Sequence, residues 1–203
     1  LIQDCHKLGI VGEETNIVLI MLALASHKNE TPISQAIKGE TDSGKTFVFN
    51  TLLQFMPQDK IIKVASFSKE SLAHIGDIAN HIIVETEGNN DQDDNYQQAV
   101  MYIRQLITEK EISRLISTVD PKAKGGKDIV TKTVRTKGPV QYNVLTTQEK
   151  LNDENENRLV CLNICNDPSH REKIQARNAL KWMGSRISNT DRKIIVEKWR
   201  KYI

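Results

Sequence analysis

Apolar positions recur at helical spacing over Glu13–His27, Thr46–Phe55 and Tyr96–Ile107. Between these stretches lie shorter runs of strand character. Ile33–Lys38 and Ile61–Ala65 are two of them, and Ile82-Ile83-Val84 is the continuous apolar run expected of a buried parallel strand. Val140–Leu145 and Leu159–Ile164 are two more. Ser68–Ile75 reads as a short helix capped by Ser68, with Ser71 in its first turn. Pro57 stops the second helix, and Gly125-Gly126 turns Ile112–Val119 back on Ile129–Thr136 as a hairpin. From Arg171 onward the chain reads as helices interrupted near Gly184 and Asn189. Five short strands separated by helices predict an α/β fold with a mainly parallel five-stranded sheet, helices on both faces and the hairpin as an insertion. No repeat at solenoid or propeller period is visible.

Composition narrows the class. The 203 residues suffice for one domain with its own core, with room for the start of a second, and need no metal or disulfide staple. The longest apolar run, Ile17–Ala25, is half of what a bilayer requires, and its charged flanks suit a buried helix, so no membrane partner is expected. No secretory signal is visible. Leu1 stands where a methionine would begin a whole protein, and the expectation is a piece of a longer chain. Cys161 and Cys165 have C-x3-C spacing, but no second pair completes a zinc site, so Cys5, Cys161 and Cys165 are expected to be buried reduced thiols. The odd count without a disulfide framework points to a reducing, cytoplasmic compartment. A net charge of +2 argues against a polybasic coat over the whole surface.

The strongest local signal is Gly39-Glu40-Thr41-Asp42-Ser43-Gly44-Lys45-Thr46, which satisfies G-x-x-x-x-G-K-[ST] at every fixed position. Each residue type has a chemical reason. The two glycines let the backbone turn so that its N–H groups converge on phosphate oxygens. The following helix adds its free N–H groups and positive dipole end. Lys45 supplies a positive charge for the β- and γ-phosphates, and Thr46 a hydroxyl for Mg²⁺. The motif needs a strand before it and a helix after it, and Ile33–Lys38 and Thr46–Phe55 supply them. Such a site also needs a carboxylate at the end of a neighbouring strand. Glu85, after Ile82-Ile83-Val84, is the candidate for polarising water. Glu87 is either part of the metal shell or simply solvated.

The order of these motifs resembles the AAA+ ATPases, and within them the replicative-helicase-like proteins of phages, plasmids and other mobile elements, distant relatives of the minichromosome maintenance helicases. The resembling stretch runs from about Ile33 to Ile164. Gly39–Thr46 matches Walker A, and Ser68-Lys69-Glu70-Ser71-Leu72 with Ile75-Gly76-Asp77 follows. Ile82–Gly88 matches Walker B, then come the hairpin, Val144-Leu145-Thr146-Thr147 and Glu156-Asn157-Arg158-Leu159. The resemblance implies a P-loop NTPase three-layer sandwich binding ATP and Mg²⁺. Lys45, Glu85, Thr147 and Arg158 would be its catalytic residues, with Thr46 and Glu85 at the metal. Thr147 would read the γ-phosphate, and Arg158 would be the finger reaching a neighbouring subunit's ATP. The other reading of Arg158 is a surface arginine in an acidic loop. The family usually places an acid before its catalytic glutamate, and Val84 occupies that position here, which puts the hydrolysis rate in question. The implied organisation is an N-terminal helical segment (1–30), an ATPase core (31–168) and a helical C-terminal segment (169–203) forming part of a lid.

Charge is unevenly spread. Residues 85–94 carry five acids and no base. Residues 118–138 hold Lys122, Lys124, Lys127, Lys132, Arg135 and Lys137 against Asp120 and Asp128, a local +4. By resemblance this hairpin projects into the pore of a ring, where Lys122, Lys124, Lys127 and Lys132 would grip DNA phosphates without regard to sequence. The alternative is an edge hairpin whose lysines block aggregation. Residues 170–203 carry ten basic residues against three acids, and a sensor-2 arginine would lie here although no motif selects one. The leading expectation is an ATP-driven DNA helicase or replication-initiator core working as a homo-oligomeric, hexameric ring. An ATP-dependent switch or scaffold with weak hydrolysis is the second. A small-molecule kinase is the third, disfavoured because no arginine precedes Tyr102.

Overall fold

The computed structural model describes residues 1–86, 94–119, 129–151, 156–184 and 187–203. The chain runs through α1 (Ile2–Lys7), α2 (Glu14–Ala25), β1 (Gln35–Lys38), α3 (Lys45–Leu53), β2 (Ile61–Val64), α4 (Lys69–His74) and β3 (His81–Glu85). It continues through α5 (Asp94–Thr108), β4 (Glu111–Val119), β5 (Ile129–Lys137), β6 (Val140–Thr146) and β7 (Val160–Asn163). Two helices follow, α6 (Pro168–Trp182) and α7 (Asn189–Tyr202).

Five strands form one sheet in the order β2-β3-β6-β1-β7, and every pairing is parallel. The expected α/β class with a parallel five-stranded sheet is therefore present. β1 and β6 are buried along their whole length, as strands covered on both faces must be. Period-2 alternation sends Ile37, Ile82, Val84 and Leu145 to one face, where Val48, Phe49 and Leu52 of α3 cover them. Ala36, Ile83, Tyr142 and Val144 go to the other face, under Ala99, Tyr102 and Ile103 of α5. The three layers are thus helix, sheet and helix.

Local chemistry explains the helix ends. Ser68 caps α4 by accepting the Ser71 N–H at 3.2 Å, as its position suggested. Ser188 caps α7 in the same way, through the Asp191 N–H at 3.0 Å. Pro168 opens α6, where its missing N–H costs nothing.

The hairpin of β4 and β5 pairs antiparallel outside the main sheet. Its base is tied to the body: the Thr136 hydroxyl donates to the Leu72 carbonyl at 2.7 Å, and the Ile78 N–H donates to the Lys137 carbonyl at 3.0 Å. The Arg114 guanidinium lies 5.2 Å from the centre of the Tyr102 ring. Lys132 is exposed on β5. Lys122, Lys124, Lys127, the Gly125-Gly126 turn and Glu87 lie outside the described residues.

Both chain ends join the core on the α3 side. Cys5, Leu8, Ile10, Ile17, Ile20 and Leu24 pack there with Ile195 and Val196 of α7. Asp4 holds α7 by accepting from Lys198 Nζ at 2.9 Å and Trp199 Nε1 at 3.0 Å. The hydrogen bond from Lys198 leads in keeping the Asp4 carboxyl below its ordinary range. Two sequence expectations need correction. Val18, Leu19 and Leu22 of the apolar run are exposed on the outer side of α2. Of the three free cysteines only Cys5 is buried, because Cys161 sits on edge strand β7 and Cys165 in the loop after it. No described helix is long and apolar enough to cross a membrane.

Candidate functional site

β1 runs straight into the glycine loop, and the Gly39 N–H donates to the Thr146 carbonyl at 3.2 Å. The end of β6 is thereby fastened to the start of the loop, which sets Thr147, exposed and next in sequence, beside it. A Cβ on Gly39 would lie 2.7 Å from the Ser43 hydroxyl oxygen, which would have to turn aside. Asp42 and Gly44 both take left-handed backbone, with φ 63° and 87°. This turns the chain sharply into α3, whose first residue is Lys45. The four free N–H groups of a helix start therefore face the concavity of the loop.

Two polar groups on the loop have unmet needs. The Ser43 Oγ is buried without a hydrogen-bond partner among the described residues. Lys45 folds back to donate to the Glu40 carbonyl at 3.2 Å. Burial holds its ammonium pKa below the ordinary lysine value, with Asp42 opposing that shift. An orphaned hydroxyl and a partly desolvated ammonium beside a helix N-terminus fit an anionic, oxygen-rich group. Thr46 is exposed on the first turn of α3.

A cavity of about 600 Å³ opens beside the loop, a size ordinary for small-molecule sites. Ser43, Gly44, Lys45 and Thr46 form one wall. Leu8, Gly9, Ile10 and Val11, between α1 and α2, form a second and apolar wall. α6 and α7 close the third with Ile174, Arg177, Lys181 and Arg192. Arg177 Nη2 also donates to the His6 carbonyl at 3.3 Å, joining two of these walls. Arg171 Nη2 reaches Glu40 Oε2 at 3.1 Å and ties α6 to the loop itself.

The sequence predicts a helical segment over 1–30, but neither the Leu8–Val11 wall nor which C-terminal arginines face the site is apparent from it. Gly9 and Gly12 around Ile10-Val11, immediately before a helix, were the available signal. The missing arginines of the first hundred residues also lose their weight, since Arg177 and Arg192 arrive from the other end of the chain.

Glu85 ends β3, but its side chain leaves the strand on the α5 face and is not part of the cavity wall. It is 1 % exposed. Tyr142 donates its phenolic hydrogen to Glu85 Oε2, Tyr96 also bonds the carboxyl, and Oε1 is buried without a partner among the described residues. Burial pushes the Glu85 pKa above the ordinary carboxylate value, against the two tyrosine bonds. Val84, the residue before it, is fully buried on the α3 face.

Arg158 is exposed and its Nε lies 3.4 Å from Thr108 Oγ1. It precedes β7, whose first residue pairs with the first residue of β1. It therefore sits at the amino end of the sheet, while the glycine loop is at the carboxyl end. The structure joins the end of β6 to the start of the loop, and the cavity wall holds Asp42–Thr46 but not Gly39–Thr41, Thr147, Glu85 or Arg158.

No protein-family model and no curated protein matches the sequence. Among solved structures, the chain is similar to NtrX from Brucella abortus in complex with ATP, with 15% identity, a TM-score of 0.46, and 86% of this chain and 40% of that one covered. It is also similar to the apo A form of the C-terminal region of NrS-1, with 13% identity, a TM-score of 0.40, and 97% and 49% covered. The chain spans less than half the length of either. Likenesses at this level leave the function to the chemistry of the site.

Proposed function

We propose that this chain is an ATP-binding and ATP-hydrolysing core of a DNA-acting motor. The observation that carries the reading is the G-x-x-x-x-G-K-T loop, set between a buried parallel strand and a helix, with Lys45 and the unpartnered Ser43 hydroxyl on the wall of a cavity of about 600 Å³. The apolar Leu8–Val11 wall suits a flat base, and the loop with Arg177, Lys181 and Arg192 suits a triphosphate. Bound Mg²⁺ would neutralise phosphate charge. Thr46 would be its ligand, and Thr147 would be the polar group that reads the γ-phosphate. In this reading residues 31–168 are the ATPase core and the C-terminal helices its partial lid.

Arg158 supports assembly into a ring by its position. At the opposite end of the sheet from its own loop, it serves a neighbour's ATP or none. The hairpin lysines and Lys132 supply contacts to DNA phosphate. The test is ATP binding and hydrolysis by wild type and Lys45→Ala, with particle mass measured with ATP and DNA. Binding and turnover lost in the variant, with a ring in the wild type, are the expected results. Undiminished turnover in Lys45→Ala sinks the site assignment, and a monomer under all conditions sinks the ring.

One observation favours a second reading, an ATP-dependent switch with weak hydrolysis. Glu85 is bonded to Tyr142 and Tyr96 on the α5 face, and Val84 offers no substitute carboxylate. Turnover through Glu85 requires its release from those tyrosines. ATP binding with turnover insensitive to Glu85→Gln is the result that selects the switch.

A further inference from the structure

Glu13, Cys165 and His170 come from three separate stretches: the turn before α2, the loop after β7, and the first turn of α6. One donor atom of each lies within 4.8 Å of the other two. The Glu13 side chain is 3 % exposed and that of His170 11 %. Glu13 Oε1 accepts the Cys165 N–H at 2.8 Å and stands 3.6 Å from His170 Nε2. Its Oε2 accepts from Asn16 Nδ2 at 2.5 Å.

The backbone is bent to make this meeting. Gly12 and Glu13 are both left-handed, with φ 61° and 63°, a conformation unfavourable for a glutamate. Gly12 lies flat on the imidazole, where a Cβ would stand 3.1 Å from Cε1. A buried carboxylate needs compensating positive charge. Among the described residues, the partners found for Glu13 are two amides and an imidazole, and none is a fixed cation.

We propose that Glu13, Cys165 and His170 form a site for a Zn²⁺-class transition-metal ion. A carboxylate oxygen, an imidazole nitrogen and a thiolate are the donor set of such ions, whereas Mg²⁺ and Ca²⁺ take oxygen. The fourth position is open to water or to Asp167, whose Oδ2 lies 3.5 Å from the Cys165 sulfur. Binding takes the thiolate form of Cys165 and releases its proton to solvent. Glu13 and His170 both line the cavity beside the glycine loop. The ion therefore pins the turn before α2 to α6, two walls of that cavity. This goes beyond the proposed function and does not depend on nucleotide.

The test is titration of the metal-stripped chain with Co²⁺ alone, followed by displacement with Zn²⁺. One equivalent is expected to bind, with a thiolate-to-cobalt charge-transfer band and the visible bands of four-coordinate Co²⁺. The band disappears in Cys165→Ser and persists in Cys5→Ser and Cys161→Ser. His170→Gln and Glu13→Gln each weaken the affinity at least about tenfold. Far-UV circular dichroism establishes that each variant is folded. A folded wild type without the thiolate band overturns the site, as does a band that survives Cys165→Ser. Either result leaves the Glu13–His170 contact as an ion pair only.

Discussion

The Tyr142 hydroxyl donates to Oε2 of Glu85, across 57 residues of sequence and between adjacent strands. This bond and the burial around it set how Glu85 titrates. Burial raises its folded pKa above the ordinary 4.5. Between those two values the folded protein binds more protons than the unfolded one, so stability falls as pH rises through the window. Each unit of that window is worth about 1.4 kcal/mol. Glu85→Gln should abolish the fall and be at least as stable as wild type at neutral pH. Melting temperatures from about pH 4 to about pH 8 check this. Parallel curves for the two proteins contradict the raised pKa.

Tyr142→Phe leaves the same buried carboxylate short of a partner. A loss of about 1–3 kcal/mol is expected. In a chain of this size that lowers the melting temperature by several degrees. The double variant Tyr142→Phe/Glu85→Gln should recover most of the loss, because the buried charge has gone as well.

Gly39 and Gly44 should respond differently to alanine. At Gly39 a Cβ meets the Ser43 hydroxyl at 2.7 Å, and only that side-chain end has to turn aside. At Gly44 nothing lies within 4 Å, and the cost is the left-handed backbone alone, about 1 kcal/mol. Calorimetric titration with ATP should show binding weakened more in Gly44→Ala than in Gly39→Ala. Equal affinities in the two variants count against the loop geometry.

Arg177→Ala should weaken ATP binding about tenfold, the worth of one charge-assisted hydrogen bond. Trp182→Ala, on the same helix but 82 % exposed, should leave the affinity alone. If the two behave alike, α6 does not face the nucleotide.

The position of Arg158 at the amino end of the sheet predicts complementation. Neither Arg158→Ala nor Lys45→Ala alone should turn over ATP. Mixed in equal amounts, they should recover part of the activity at interfaces that join an intact loop to an intact arginine. An Arg158→Ala protein with full turnover removes the shared site.

DNA binding should weaken with salt, and the logarithmic slope should fall by about 0.9 for each of Lys124, Lys127 and Lys132 changed to Ala. An unchanged slope in all three variants takes the hairpin out of the contact.

Much of this was legible before any fold was known. The glycine loop, its flanking strand and helix, the Ser68 cap and the five parallel strands are written in contiguous stretches, because turns, caps and strand burial depend on near neighbours in sequence. The candidate site required more. Its walls come from the two chain ends, with Leu8–Val11 and Arg177 meeting over Lys45, and Glu13 meeting Cys165 across 152 residues. No local spacing encodes such meetings. The orientation of Glu85 is the clearest case. Its place at a strand end followed from the apolar run before it. Which face it took depended on the register of β3 against β6, which placed Tyr142 beside it. The chain by itself determined which groups were available for chemistry. The packing of strands and termini decided which of them met, because contacts between distant segments are set by the shared core.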